Sequence, residues 1–149
     1  MFSFITRHFP YGLTLRENMQ NVHDFLKEAK VFYLATIKDG NPAIRPLGTI
    51  NIYNGKLYFQ TGKKKDMAKE MIANPNIAIS AMNQNGQWIR VSAKAYENDS
   101  IECSEAMLKN YPELRGMYTP GDGNCTCFSI EEANYGIYSF TDAPKFGKF

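Results

Sequence analysis

Residues 31–61 read VFYLATIKDGNPAIRPLGTINIYNGKLYFQT, and this stretch decides the fold. Val31 to Ile37 is rich in β-branched and aromatic residues, Asp39-Gly40 is a two-residue hairpin signal, and Ala43 to Tyr53 resumes the strand pattern. Asn54-Gly55 is a second such signal, and Lys56 to Thr61 is a third strand. Asp-Gly and Asn-Gly mark tight hairpins because both central residues must take a positive φ. Three consecutive antiparallel strands are therefore expected. Pro46 lies inside the second of them, where it cannot donate to a ladder, and Gly48 brings no side chain. That segment is either a sheet edge or a place where a flat ligand meets the backbone.

Upstream, Asn18 to Lys30 carries Val22, Phe25, Leu26 and Ala29 at the spacing of an amphipathic helix. Downstream, Lys63 to Ala73 predicts a second helix with Met67, Ala68, Met71 and Ile72 as its buried stripe, stopped by Asn74-Pro75. Ile77 to Met82 and Gln87 to Tyr96 are the next strands. In the latter, Ile89, Val91, Ala93 and Ala95 share one face, and Trp88, Arg90, Ser92 and Lys94 the other. A third helix is expected from Asp99 to Asn110, opened by an Asp99/Glu102 capping box and ended by Pro112. The loop Thr119 to Gly123 and two last strands, Cys125 to Ile130 and Tyr135 to Phe140, complete seven strands. Helices inserted between hairpins suit a mainly β fold, an antiparallel barrel, better than a doubly wound parallel sheet.

The chain of 149 residues is the size of one domain, and 44% hydrophobic content with 21% charged residues supplies a core and excludes intrinsic disorder. A net charge of +2 gives no excess for a dedicated nucleic-acid binder. No apolar run approaches the ~20 residues that cross a bilayer, so no membrane partner is expected. The N-terminus lacks a basic start followed by a long apolar stretch, which makes the cytoplasm the expected compartment. Three cysteines argue against a disulfide framework. Cys125 and Cys127 point the same way on a strand, as a redox pair or as two small core residues, and Cys103 reads as helix packing. Two histidines and three thiols without ligand spacing do not read as a metal site, and His23 reads as a surface or interface residue of the first helix.

Chemistry concentrates in two places. Thr61-Gly62-Lys63-Lys64-Lys65 joins the third strand to the second helix, where cations oppose the helix dipole and an anion would compensate them. Backbone N–H groups, the Thr61 hydroxyl and one or two ammonium groups would suit a phosphate, with Gly62 permitting close approach. The alternative is a solvated lysine loop that binds nothing. Upstream, Arg45 shares a face with Leu47 and Thr49 and offers a planar fork to a phosphate or an electron-rich ring. Here the alternative is an edge strand with a surface arginine.

Val22-His23-Asp24-Phe25-Leu26, Phe32-Tyr33-Leu34-Ala35-Thr36, Pro42-Ala43-Ile44-Arg45-Pro46, Gly55-Lys56-Leu57-Tyr58-Phe59-Gln60-Thr61, Lys65 and Asn74-Pro75, in this order, resemble the pyridoxamine 5′-phosphate oxidase-like flavin-binding proteins. The resemblance covers about residues 19 to 141, and within it the chain is most similar to small flavoproteins grouped with 5-nitroimidazole-resistance proteins. It implies a six- or seven-stranded split β-barrel that forms a homodimer and binds FMN in clefts at the dimer interface. It divides the chain into an N-terminal arm, residues 1–18, and a flavin-binding domain, residues 19–149.

Carried over by position, Arg45, Pro46, Leu47, Gly48 and Thr49 match the segment that lines the flavin. Gln60 and Thr61 match the pair beside the ring and ribityl chain, and Lys64 and Lys65 the phosphate-binding basic residues. Trp88 falls where the partner subunit contributes a residue, with Arg90 on the same face. The tryptophan and arginine that hold pyridoxal phosphate near the oxidase C-terminus have no counterpart, since the last arginine here is Arg115. The resemblance therefore implies an FMN-dependent oxidoreductase acting on a small molecule with NAD(P)H, rather than a vitamin B6 oxidase. A flavin carrier without turnover is the alternative, as is a relative that takes haem or a deazaflavin in the same cleft.

Overall fold

Both expected hairpins form. In the computed structural model, which describes residues 12–149, β1 (Phe32–Lys38) turns into β2 (Asn41–Leu47) through Asp39 at φ 50° and Gly40 at 77°. Likewise β3 (Asn51–Tyr53) turns into β4 (Lys56–Gly62) through Asn54 at φ 47° and Gly55 at 74°. Residues 1–11, the larger part of the expected N-terminal arm, lie outside the described residues.

The expected strand Ala43 to Tyr53 is in fact two. It breaks at Gly48–Ile50, and its halves pair at opposite edges of one sheet, β2 with β1 and β3 with β4. Across that sheet the order is β2-β1-β5-β6-β7-β4-β3, with β5 Asn76–Met82, β6 Trp88–Asn98 and β7 Cys125–Tyr138, and every pairing is antiparallel. The short break carries the chain from one edge of the sheet to the other. Three bonds fix it: Gln60 N–H donates to Thr49 Oγ1 at 2.9 Å, and the Tyr111 hydroxyl accepts from Ile50 N–H at 3.1 Å and donates to Ile50 O at 3.2 Å. Pro42 and Pro46 sit on the terminal strand β2, so the sheet-edge reading holds.

Strands Cys125 to Ile130 and Tyr135 to Phe140 prove to be one strand. Its polar middle carries a bulge: Ser92 pairs with Asn134 and Lys94 with Glu131, so Glu132 and Ala133 oppose the single residue Ala93. Glu132 takes φ 50° there. An eighth strand, β8 (Lys145–Lys148), was not expected; it pairs with β7 beyond the end of β4. Gly147 makes this possible, because a Cβ there would stand 2.7 Å from the Tyr135 ring.

Three helices cover the barrel. Helix α1 (Leu15–Ala29) starts before the expected Asn18, at a capping box of Thr14 and Glu17, and Asn18 is buried, accepting a 2.7 Å bond from the Tyr135 hydroxyl. Its Val22, Phe25 and Leu26 enter the core with Phe32, Leu34, Phe59 and Phe128. Helix α2 (Asp66–Ala73) begins after the lysines, with Lys65 as N-cap. Its buried stripe is Met67, Ala68, Glu70 and Met71, whereas the expected Ile72 is 65% exposed. Helix α3 (Ile101–Asn110) is capped by Ser100, which accepts from Cys103 N–H at 3.2 Å, and not by Asp99. No helix among the described residues is long and apolar enough to cross a membrane.

Candidate functional site

The end of β4 and the start of α2 gather four of the expected residues. Gln60 and Thr61 are consecutive on β4 and so face opposite ways, and both are buried. The Gln60 amide donates to Thr61 O at 3.1 Å. Thr61 Oγ1, on a residue only 2% exposed, has no hydrogen-bond partner among the described residues. A buried orphan hydroxyl costs on the order of 1–3 kcal/mol unless something else meets it. Thr49 joins this group through its bond to Gln60 N–H.

The three lysines part company in the structure. Lys63 Nζ is tied to Asp99 at 2.6 Å, and that bond holds the Asp99 carboxyl below the usual carboxylate range. Lys64 and Lys65 form no ion pair among the described residues, and no side chain caps α2. The backbone N–H groups expected to cradle an anion are already bonded. Lys63 N–H donates to Asn124 O at 2.7 Å, Lys64 N–H to Asn124 Oδ1 at 3.0 Å and Lys65 N–H to Gly62 O at 3.1 Å. What remains for an anion is the two ammonium groups and the uncapped first turn of α2.

Gly62 does permit a close approach, but the occupant is the chain itself, since a Cβ there would meet the Asn124 side chain at 3.0 Å. Asp122 braces the same loop, accepting from Thr119 N–H at 3.0 Å, Asn124 N–H at 2.7 Å and Cys125 N–H at 2.6 Å. These donors, Cys125 foremost, hold its carboxyl below the usual range, and the charge of Lys64 adds to the effect.

Arg45 lies beside α2, further along that helix. Its Nη1 donates to Thr36 Oγ1 at 2.6 Å and its Nη2 to Glu70 Oε1 at 2.8 Å, while Thr36 donates to the same Oε1 at 2.6 Å. The fork expected to face a phosphate or a ring is thus engaged by the protein. The bond from Thr36, with Arg45 second, holds the Glu70 carboxyl below its ordinary range against the opposing pull of burial. Sequence reasoning missed Glu70, although a carboxylate within an apolar helix stripe is a signal. It also missed Asn124, which reads in sequence only as the end of a turn. Leu47 is half-buried against the core, Pro46 is on the outer face of β2, and Gly48 opens the break that follows.

Trp88 and Arg90 are elsewhere. Thr61 pairs with Thr126 at one end of β7 and Trp88 with Tyr138 at the other. The Trp88 ring stacks on Tyr138 with centroids 5.8 Å apart, Phe140 closes on it at 5.1 Å, and the Arg90 guanidinium lies 5.2 Å from the Tyr138 centroid. Both project outward as the strand alternation requires. His23 is on the outer side of α1, 2.9 Å from Asp24. The three cysteines are free, buried packing residues: Cys103 and Cys127 sit with Tyr58 and Met107, and Cys125 with Leu108 and Tyr118.

The comparisons with known proteins agree with this architecture. Residues 19–132 match the family model described as pyridoxamine 5′-phosphate oxidase. A NimC/NimA family protein from Clostridium acetobutylicum is 36% identical, with 91% of this chain and 94% of that one covered and a TM-score of 0.88. General Stress Protein 26 from Bacillus anthracis shares the fold at 17% identity, covering 92% of this chain and all of that one (100%), TM-score 0.68. So does a haem-binding protein from Mycobacterium smegmatis at 10% identity, covering 83% of this chain and 57% of that one, TM-score 0.63. No curated protein matches the chain. A split antiparallel barrel with this connectivity, the family match over most of the chain and the NimC/NimA likeness over nearly all of it lead to one conclusion: the chain belongs to the pyridoxamine 5′-phosphate oxidase family, in its nitroimidazole-resistance grouping.

Proposed function

We propose that this protein binds FMN and acts as a reductase of a small organic molecule, drawing its electrons from NAD(P)H. The observation that carries the reading is the start of α2. Two lysines that form no ion pair among the described residues stand before an uncapped helix, shortly after Thr61, whose buried hydroxyl has no partner among those residues. That donor set fits a phosphate monoester. Bound FMN would supply hydride and electron transfer. The chain's own residues have simpler tasks. Lys64 and Lys65 neutralise the phosphate, Thr61 and Gln60 fix the position of what enters beside β4, and the Thr36–Arg45–Glu70 network holds β2 against α2.

A homodimer completes the reading. The outward face of the sheet runs through Pro46, Tyr33, Ser80, Arg90 and Gly136, each the register partner of the next. Tyr33 is 51% exposed, and Ile44 and Met82 on the same face are more so. Small residues beside exposed apolar ones let a second copy approach closely, and tryptophan with arginine is the pairing that buried interfaces favour. In such a dimer Trp88 and Arg90 of one protomer serve the cleft of the other. Cytoplasmic residence suits three cysteines that all stay thiols.

The absorbance spectrum of the purified protein tests this, followed by titration with FMN. A flavin spectrum, or uptake of one FMN per protomer, supports the reading; a colourless protein that takes up none overturns it. A haem or deazaflavin spectrum would assign the cleft to that ligand. Rapid mixing of the flavin-loaded protein with NADH or NADPH separates reductase from carrier, since only the reductase bleaches promptly.

A further inference from the structure

The loop before β7 clasps the turn between β4 and α2 through one residue. Asn124 uses both of its acceptors on successive residues of that turn: its carbonyl takes Lys63 N–H at 2.7 Å and its Oδ1 takes Lys64 N–H at 3.0 Å. Its side chain is pressed onto Gly62, where any Cβ would meet it at 3.0 Å. Asp122 fixes Asn124 in turn through Asn124 N–H at 2.7 Å. A third tie links the far side of the turn to the connection between β6 and α3, with Lys63 Nζ on Asp99 at 2.6 Å. The turn is therefore set by contacts within the chain before any ligand arrives. Lys63 is consumed by the protein, while Lys64 and Lys65 stay available.

We propose that Asn124 is a positioning residue for a phosphate subsite, holding the Lys64 backbone so that the Lys64 and Lys65 ammonium groups converge on the phosphate of a phosphorylated flavin. The inference rests on the flavin reading above and adds to it the source of discrimination between FMN and riboflavin. Preorganisation of this kind raises affinity by removing the ordering cost at binding. Its effect is confined to the ligand that carries the phosphate, because Asn124 meets the turn and not the ring.

The test compares FMN and riboflavin affinities by flavin fluorescence quenching in the full-length protein and three variants. Wild type is expected to prefer FMN. Asn124→Ala loses one backbone bond and is expected to lower that preference about threefold to tenfold while leaving riboflavin affinity unchanged. Riboflavin binding thus reports that the variant is folded. Lys64→Met should lower the preference further, and the double variant Asn124→Ala/Lys64→Met should lose less than the sum of the two single losses, because Asn124 acts in part through Lys64. Asn124→Asp keeps an acceptor for Lys64 N–H but adds a carboxylate beside the phosphate, so it too should weaken FMN and spare riboflavin. Equal losses for both flavins, strictly additive losses in the double variant, or FMN binding unchanged in Asn124→Asp would each overturn the role of Asn124. Wild type without any preference for FMN would overturn the flavin-phosphate reading itself, and this inference with it.

Discussion

Arg45 on the edge strand β2 and Glu70 on α2 are paired at 2.8 Å, with the Thr36 hydroxyl of β1 bonded to both. Three elements meet in this one contact. An edge strand with two prolines has few ladder bonds to hold it, so a side-chain tie to a helix compensates. Glu70→Gln would leave the Arg45 charge without its counter-ion at a partly covered site. A loss of about 1–2 kcal/mol is expected, below the full cost of a buried pair because Arg45 is partly exposed. Thermal unfolding should show it as a decrease in Tm of about 3–6 °C.

The same pair makes stability depend on acidity. Glu70 has a folded pKa below its unfolded one. Its contribution is therefore complete above the ordinary glutamate value, ~4.3, and is lost as pH falls through the lower folded value. Wild type should lose more stability than Glu70→Gln between about pH 5 and pH 3 in urea titrations. Parallel curves for the two proteins would contradict the assignment.

Lys65→Ala should weaken FMN far more than riboflavin, since one charge-assisted bond to phosphate contributes about 1.5–3 kcal/mol, or roughly 10-fold to 150-fold in affinity. Isothermal titration with the two flavins measures the difference.

Trp88 reports on assembly. Its ring is stacked on Tyr138 within one protomer, so its emission already carries that environment. If the cleft is shared between protomers, FMN should quench Trp88 fluorescence, and dilution below the dimer dissociation constant should release FMN. A monomer by light scattering that retains FMN with Trp88 emission unchanged would contradict the dimer.

Glu132 carries a positive φ of 50° at the bulge opposite Ala93, with only an exposed 3.7 Å ion pair to Lys94 and a 3.2 Å bond from the Tyr96 hydroxyl in return. Asparagine accepts that conformation readily and a β-branched residue does not. Glu132→Asn should be neutral or stabilising by up to ~1 kcal/mol, and Glu132→Val destabilising by about 1–2 kcal/mol, measured by urea unfolding.

Much of the fold was legible because its decisive signals are local. Asp39-Gly40 and Asn54-Gly55 each specify a backbone that few other pairs adopt, and both hairpins lie where those pairs stand. What was illegible depends on partners distant in sequence. The break at Gly48–Ile50 exists because the two halves of one apparent strand belong to opposite edges, which no local pattern records. One strand read as two, ending at Ile130 and resuming at Tyr135, because a bulge turns the polar Glu132 outward in the middle of β7. Ile72 is as apolar as its neighbours, and only the positions of Thr36 and Arg45 bring Glu70 inward in its place. At the candidate site, the lysines were visible as cations out of keeping with a helix start, with the Thr61 hydroxyl beside them, whereas Gln60 came only from the family resemblance. Asn124 was not, because its role comes from what it touches sixty positions earlier.

The position of β7 in the sheet has a consequence for how the chain is made. It alone lies between β6 and β4 and also carries β8, yet it begins only at residue 125. A ribosome emits both early hairpins long before their permanent neighbour exists, and β4 must wait with one backbone edge uncovered. Pairings of such long sequence separation form slowly. The growing polypeptide is thus exposed to chain-to-chain strand pairing until residues 125–138 have been added, and a premature stop before Cys125 leaves β4 and β6 each with a further open edge, the form in which sheets aggregate.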